Sequence, residues 1–411
     1  MSQITDYSKN TKYIISDKSD YIISDKSDFI SESFNEILQN HKNKKICLIS
    51  DNNIWQNCKY LFESHLVIND IKLIIIKNPI CNDNFANYLS NKIYSYDFVI
   101  ALGSGTINDL CKYACYKNNL EFVIFSSAAS MNGYLSNNCS IIINSHKKSI
   151  NCKSAIKVYC DINIIKQAPI AMIKAGIGDI MCFYSCYFDW YLAHKLFNYD
   201  FNVNAINLIK PRIDQFIANY SKYDLNNNEL YKLICEILMI SGIAMNMAES
   251  SAPVSQSEHI LSHLLEMKYK DKVNNLLHGQ IIAITTIICL NIQNKILQNI
   301  QDDSSLINNV RSDDINLARN YFGQDLFASC QQEYSSKISK INNAKILKFS
   351  NNDIYKDLSK IFTHNDKIKD IFNFFDINYD ITNLNIDPDI VNQIIKNAKF
   401  IRNRLTCLDF I

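Results

Sequence analysis

ALGSGTINDLCKY, Ala101–Tyr113, is the stretch whose reading decides the fold. The apolar run DFVIALG (97–103) reads as a buried strand. It ends in Gly103-Ser104-Gly105 and passes directly into a helical pattern over 107–118, with Leu110, Tyr113 and Ala114 on one face. Glycines let a backbone approach a phosphate closely. The helix that follows offers unpaired N–H groups and the positive end of its dipole. A strand, glycine turn and helix in a parallel sheet is therefore an arrangement that binds a diphosphate. Asn108 stands where the longer GxGxxG fingerprint has its third glycine, so a tight turn without a ligand stays open as the other reading.

Working outward, KKICLIS (44–50), IKLIIIK (71–77) and EFVIFS (121–126) read as further buried strands with helical stretches between them. That alternation predicts an α/β fold with a parallel, doubly wound sheet. Asp51, in the turn after the first of these strands, either accepts hydrogen bonds from an adenosine ribose or caps the next helix. CSIIIN (139–144) and SAIKVYC (154–160) look like a further strand pair. From about Pro169 onward helical periodicity dominates, and Asp387-Pro388 marks the start of the last helix. The expected organisation is an extension over 1–43, an α/β nucleotide-binding domain over 44–165 and an all-α domain over 166–411. The extension holds a perfect tandem octad, YIISDKSD YIISDKSD (13–28), read as a local duplication in a solvated segment. Two copies are too few for a solenoid.

Composition narrows the function classes. A formal net charge of +1 gives no electrostatic reason to expect nucleic acid or a membrane surface as partner. No uninterrupted apolar run reaches the roughly 18 residues of a bilayer span, and MSQITDYSKN does not read as a secretory signal. A cytoplasmic protein is expected. The 14 cysteines lack CxxC spacing, and many lie in apolar runs (Cys47, Cys182, Cys289), which suits buried free thiols in a reducing compartment. The chain keeps only 8 glycines, so each retained one is expected to have a conformational reason. Six of the 8 fall within the motifs described in this section.

A second constellation lies in the helical part. AGIGDIM (175–181) places Asp179 just after a glycine-flexed turn. SQSEHILSHLLEM (255–267) carries His259 and His263 four apart, hence on one helical face. LLHGQ (276–280) carries His278 before a glycine. The chain has 8 histidines, and three of them fall within 259–278. An aspartate with two imidazoles suits one divalent cation, Zn²⁺ first, with Ni²⁺ or Fe²⁺ equally compatible. Three protein ligands leave a position open for a substrate oxygen or water. His263 then lies behind the ligands or touches substrate, a plain helix-face histidine being the alternative.

Taken in order, GSGTINDLCKY (103–113), SSAASMNGYLS (126–136), AGIGD (175–179), DWYLAH (189–194), SEHILSH (257–263), HGQ (278–280) and IRNRLTCLDFI (401–411) form a series with a known counterpart. From about residue 44 to the C-terminus the chain resembles the glycerol-1-phosphate dehydrogenase branch of the iron-containing alcohol dehydrogenase and dehydroquinate synthase-like superfamily. The resemblance implies a nucleotide-binding domain, a helical domain and an active site in the cleft between them. It carries the metal role onto Asp179, His259 and His278. It carries NAD(P)H contacts onto Gly103, Ser104, Gly105, Thr106, Asp109 and Lys112, and onto Ser126, Ser127 and Ser130. It implies hydride transfer from nicotinamide to a metal-polarised ketone, with dihydroxyacetone phosphate as the family substrate, and a homo-oligomer.

Two departures stand out. The family loop usually has an aspartate where this chain has Asn132, which keeps the shape but removes a charge. The segment before SEH usually carries an arginine where this chain has Ala252, which removes a bidentate phosphate ligand. Three readings follow: a dehydrogenase for a small polyol or polyol phosphate, with Asn132 and His263 at the reacting end; a sugar-phosphate cyclase on the same fold; and a non-catalytic binding module.

Overall fold

In the computed structural model, residues 11–14, 20–143, 146–301, 315–343, 351–362 and 364–411 are described. Part of the first octad, residues 15–19, lies outside them. The chain forms two units. One comprises Met1–Ile177 and Ser221–Asn246, the other Gly178–Tyr220 and Met247–Ile411.

The described strands all belong to the first unit. They are β1 (Thr11–Ile14), β2 (Asp20–Ser24), β3 (Ile46–Asp51), β4 (Lys72–Ile76), β5 (Phe98–Gly103), β6 (Glu121–Ser126), β7 (Asn138–Ile143), β8 (His146–Asn151) and β9 (Lys157–Asp161). Seven form one sheet in the order β1-β2-β9-β6-β5-β3-β4. Every pairing in it is parallel except β1 with β2. Strands buried on both faces need continuous apolar runs. Phe98, Val99, Ile100, Ala101 and Leu102 of β5 are all fully buried. Helices α1 (Phe29–Asn40), α2 (Asn52–Ile68), α3 (Asp83–Ile93) and α4 (Gly105–Lys117) supply crossovers and cover. The chain leaves β3 outward to β4, then returns past β3 to form β5. That reversal puts a topological switch point between β3 and β5, where open parallel sheets bind ligands at their carboxyl ends.

Two expectations change here. SAIKVYC does not pair with CSIIIN. β7 pairs antiparallel with β8, and β9 enters the main sheet between β2 and β6. The segment over 20–40, read as solvated extension, is built into the first unit. Tyr21 is fully buried in β2, and Phe29, Ile30, Phe34 and Ile37 of α1 join a core with Phe62 and Phe125. The duplicated sequence concealed an alternation that buries Tyr21 and Ile23 together.

Beyond the sheet come α5 (Ile162–Ile165), α6 (Ile170–Met181), α7 (Phe183–Phe197), α8 (Val203–Asn219) and α9 (Asn228–Met247). The expected single boundary near residue 165 is replaced by a chain that leaves the first unit within α6 and returns to it for α9. Close backbone packing explains the return. A Cβ on Gly242 would lie 3.0 Å from the backbone of Leu135. Asn246 donates to Leu135 O at 2.7 Å and accepts from Asn137 N at 2.7 Å. Local periodicity carries no sign of such a long-range attachment.

The second unit is helical throughout its described residues. It continues with α10 (Ser257–Lys268), α11 (Lys270–Val273), α12 (His278–Gln301), α13 (Ile315–Asn343), α14 (Asn351–Phe362), α15 (Asn365–Phe374) and α16 (Pro388–Ala398). Gly323 interrupts α13 with φ +74°. Asp387 caps α16 through Asp389 N at 2.8 Å, with Pro388 at its first position. Three helical stretches, Ile170–Phe197, Asn228–Met247 and His278–Ile300, are long and apolar enough to cross a bilayer by length and composition alone. Their windows are 72%, 78% and 72% buried within the fold, as expected of core helices.

Candidate functional site

In the first unit the glycine turn and the serine loop are neighbours. Gly103 and Ser126 are register partners at the carboxyl ends of β5 and β6, and Ser127 N donates to Gly103 O at 3.1 Å. A Cβ on Gly103 would lie 2.6 Å from Ile107 Cβ, so glycine lets the first turn of α4 close onto the strand. Helix starts differ in how their free amides are met. Asp51 caps α2 through Ile54 N at 3.0 Å, and Asn82 caps α3 through Phe85 N at 2.9 Å. Ser104 occupies the cap of α4 with no side-chain bond. The Ile107 amide therefore lacks the local acceptor that the equivalent amide has in the other two helices, and it stays free beside those of Gly105 and Thr106 at the helix start. That is the donor arrangement a diphosphate requires.

The remaining residues assigned to the cofactor divide. Ser127 Oγ is buried without a partner, whereas Ser126 Oγ donates to Ala128 O at 3.0 Å. Ser130 is half-buried in the same loop. Lys112 is wholly buried, and its Nζ donates to Gly133 O, to Ser136 Oγ at 3.1 Å and to Asn138 O at 2.9 Å. Burial lowers its pKa, against the pull of Asp109. Asp109 accepts from Ser140 N at 3.1 Å, and burial raises its pKa. Lys112 thus braces the loop that holds Ser130 and Asn132, and Asp109 anchors β7 beside it. Their charged atoms are engaged with protein, which gives both side chains a positioning role. Asp51 is likewise a helix cap, with one carboxylate oxygen on Ile54 N.

In the second unit, donor atoms of Asp179, His259 and His278 lie within 4.8 Å of one another. They come from α6, α10 and the first residue of α12. Glycine again permits the approach. A Cβ on Gly178 would lie 2.1 Å from Gly279 O, so α6 and α12 touch backbone to backbone immediately beside Asp179 and His278. Asp179 Oδ1 sits 3.5 Å from His259 Nε2.

Each imidazole is oriented from behind by a carboxylate. His259 Nδ1 donates to Glu258 Oε1 at 3.1 Å, and His278 Nδ1 donates to Glu266 Oε1 at 3.2 Å. In the neutral rings both Nε2 atoms are thereby the lone-pair donors, the arrangement found behind metal-bound histidines. Glu258 is itself fixed by Gln256 N at 2.7 Å, Cys186 Sγ at 2.7 Å and Ser185 Oγ at 3.2 Å. Burial opposes a charge on His259, yet Asp179, Cys182 and Glu258 together hold its pKa well above the usual histidine range. Three carboxylates around two imidazoles make this a place that favours a cation. Donor chemistry and electrostatics both fit one divalent metal.

Sequence reasoning missed the backing groups. Glu258 lies within a motif it quoted, and Glu266 follows His263 by three on the same face of α10, a spacing that could have flagged it. It also missed Asp189, which accepts from Gln293 Nε2 at 2.9 Å, Cys407 N at 3.0 Å and Ser257 N at 3.3 Å. Burial and nearby Glu258 push its pKa up to about 7. Asp189 thus ties the start of α10 to the C-terminal segment. His263 lies beside the cluster, its ring 5.8 Å from that of His278.

Residues 28–169 match the family description "iron-containing alcohol dehydrogenase". A glycerol-1-phosphate dehydrogenase (NAD(P)+) of Pyrococcus abyssi is 36% identical over 195 residues, covering 47% of this chain and 56% of that protein. One of Bacillus velezensis is 32% identical over 192 residues, 46% of this chain and 49% of that protein. Over residues 28–169 the chain is similar to the iron-containing alcohol dehydrogenases. These alignments span about half the length of the curated relatives. Solved structures of several dehydrogenases share the fold over most of the chain. An iron-containing alcohol dehydrogenase of Thermotoga maritima superposes with TM-score 0.60 at 10% identity, covering 95% of this chain and 96% of that one. The glycerol dehydrogenase of Schizosaccharomyces pombe gives 0.53 at 16% identity, covering 88% and 93%.

Proposed function

We propose that this chain is a metal-dependent, NAD(P)H-linked oxidoreductase that reduces a small ketone, dihydroxyacetone phosphate to sn-glycerol 1-phosphate being the specific reaction. The observation that carries this reading is the Asp179–His259–His278 cluster, in which a carboxylate backs each imidazole. It is supported by relatives named glycerol-1-phosphate dehydrogenase.

Bound there, a divalent cation would polarise the carbonyl oxygen while NAD(P)H supplied the hydride. The chain's own residues do the rest. Asp179, His259 and His278 hold the cation, and Glu258 and Glu266 fix the rings so that each Nε2 points into the site. The uncapped amides at the start of α4, with Ser104 and the free hydroxyl of Ser127, receive the cofactor's diphosphate. Arg402 can only donate, so its bond to His263 Nδ1 at 3.1 Å leaves the ring proton on His263 Nε2. His263 then offers a hydrogen bond toward the substrate oxygens. The carboxylate of Asp51 at the end of β3 would repel a 2′-phosphate, which favours NADH. A cytoplasmic setting agrees with 14 free cysteines, and homo-oligomerisation follows from the resemblance.

The test is NADH and NADPH oxidation by Zn²⁺-, Ni²⁺- or Fe²⁺-reconstituted protein, offered dihydroxyacetone phosphate or dihydroxyacetone. Turnover of the phosphate ester with one equivalent of NADH consumed is expected. Absence of turnover on any triose with every metal would overturn the proposal.

A further inference from the structure

A phosphorylated substrate needs a cationic cradle, and the segment preceding α10 lacks the arginine expected at Ala252. The fold brings another arginine to that place. Arg404 belongs to the C-terminal segment that follows α16. Its Nη2 donates to Ser251 Oγ at 2.6 Å, and its Nη1 donates to Ser255 O. Those two serines bracket Ala252. A guanidinium therefore stands at the same short segment, delivered from the far end of the chain.

Arg404 has the properties of a waiting anion ligand. It is half-buried, and both of its hydrogen bonds end on uncharged oxygens. No ion pair to Arg404 occurs among the described residues. Two of its five N–H groups are used, which leaves the remaining donors of the fork for a ligand. A half-buried guanidinium with no directly paired carboxylate can still accept a bidentate anion. Burial, and then the neighbouring Arg402, act to lower the pKa of Arg404, to about 10, which keeps it charged near neutrality. Arg402 carries the geometry back to the metal donors. Its Nη2 bonds His263 Nδ1 at 3.1 Å, and the His263 ring lies 5.8 Å from that of His278 and 6.3 Å from that of His259. Glu333 faces both guanidinium groups electrostatically, and Glu258 faces Arg404 as well, but neither carboxylate pairs directly with Arg404.

We propose that Arg404, seconded by Arg402, is the subsite for the substrate's phosphate and takes the place of the arginine missing at Ala252. The inference rests on the proposed reduction of a triose phosphate and names the residue that makes it specific for the phosphate ester. Removing a charged hydrogen-bond donor from a phosphate lowers its binding by about 10–100-fold.

The experiment compares wild-type metal-loaded protein with Arg404→Gln and Arg404→Lys, each checked for metal content and thermal melting. With NADH, Arg404→Gln is expected to raise KM for dihydroxyacetone phosphate by about 10–100-fold. Values for dihydroxyacetone should change by less than about twofold, and Arg404→Lys should recover part of the loss. An equal loss on both substrates, or none on the phosphate ester, overturns the assignment while leaving the proposed reaction intact. A second measurement needs no variant and no turnover. Phenylglyoxal labelling of Arg404, followed by peptide mass spectrometry, is run with and without inorganic phosphate. Protection of Arg404 by phosphate supports the subsite even if the wild type reduces no triose, in which case the proposed reaction alone fails. Equal labelling in both samples overturns the subsite.

Discussion

Two regions of this molecule present donors to a ligand, and they are made from different parts of the chain. At the end of β5 the donors are backbone amides of consecutive residues, freed because Ser104 makes no cap bond and admitted because Gly103 carries no Cβ. In the second unit the donors are side-chain atoms from α6, α10 and α12, each imidazole held by its own carboxylate. A backbone site tolerates changes of side chain but not changes of backbone spacing. A side-chain site has the opposite sensitivity, and it extends to groups that never touch the ligand.

The comparison is sharpest where the metal ligands are removed. His259→Ala is expected to abolish tight metal binding, read as metal per chain by elemental analysis. Its loss should exceed the roughly 10–100-fold fall in affinity expected of Glu266→Gln, which leaves every ligand in place. Equal affinity in wild type and Glu266→Gln would show that the backing carboxylates are incidental.

Gly103→Ala tests the other region. The new methyl would meet Ile107 at 2.6 Å, so α4 must move from the strand. Overpacking of this kind costs about 1–3 kcal/mol. NADH affinity, measured by quenching of protein fluorescence, should fall with stability while metal content is unchanged.

The smallest effect is expected from Ser104→Ala. If the amides do the binding, losing this hydroxyl should weaken NADH by no more than about threefold, within the 0.5–1.5 kcal/mol of one neutral hydrogen bond. A larger loss would mean that the turn binds through its side chain, and the contrast between the two regions would collapse.

Much of this was legible because it was local. The strand, glycine turn and helix at 97–113 are contiguous, and their apolar runs announce burial on both faces. The metal cluster could be anticipated because histidines are scarce and three fall close together. What stayed hidden depends on approach in space. Lys112 and Asp109 look like cofactor contacts in sequence, and in space Lys112 also braces the loop after β6 while Asp109 holds β7 through Ser140. The return of α9 to the first unit turns on Gly242 meeting the backbone of Leu135. The arginine missing at Ala252 reads as a loss within its own segment, and only the fold puts Arg404 on Ser251 and Ser255.

The octad has a meaning beyond its concealment of β2. Tyr13–Asp20 repeats Tyr21–Asp28 residue for residue, and β1 lies antiparallel beside β2 with Tyr13 opposite Tyr21. The place next to β9 is therefore written twice in the gene. Deleting either copy restores one and the same shorter sequence, with a Tyr-Ile-Ile-Ser strand still at the same distance before α1. Gain or loss of a repeat thus alters what lies outside β2 while the buried strand persists. This sheet margin can record replication slippage without charging the fold for it.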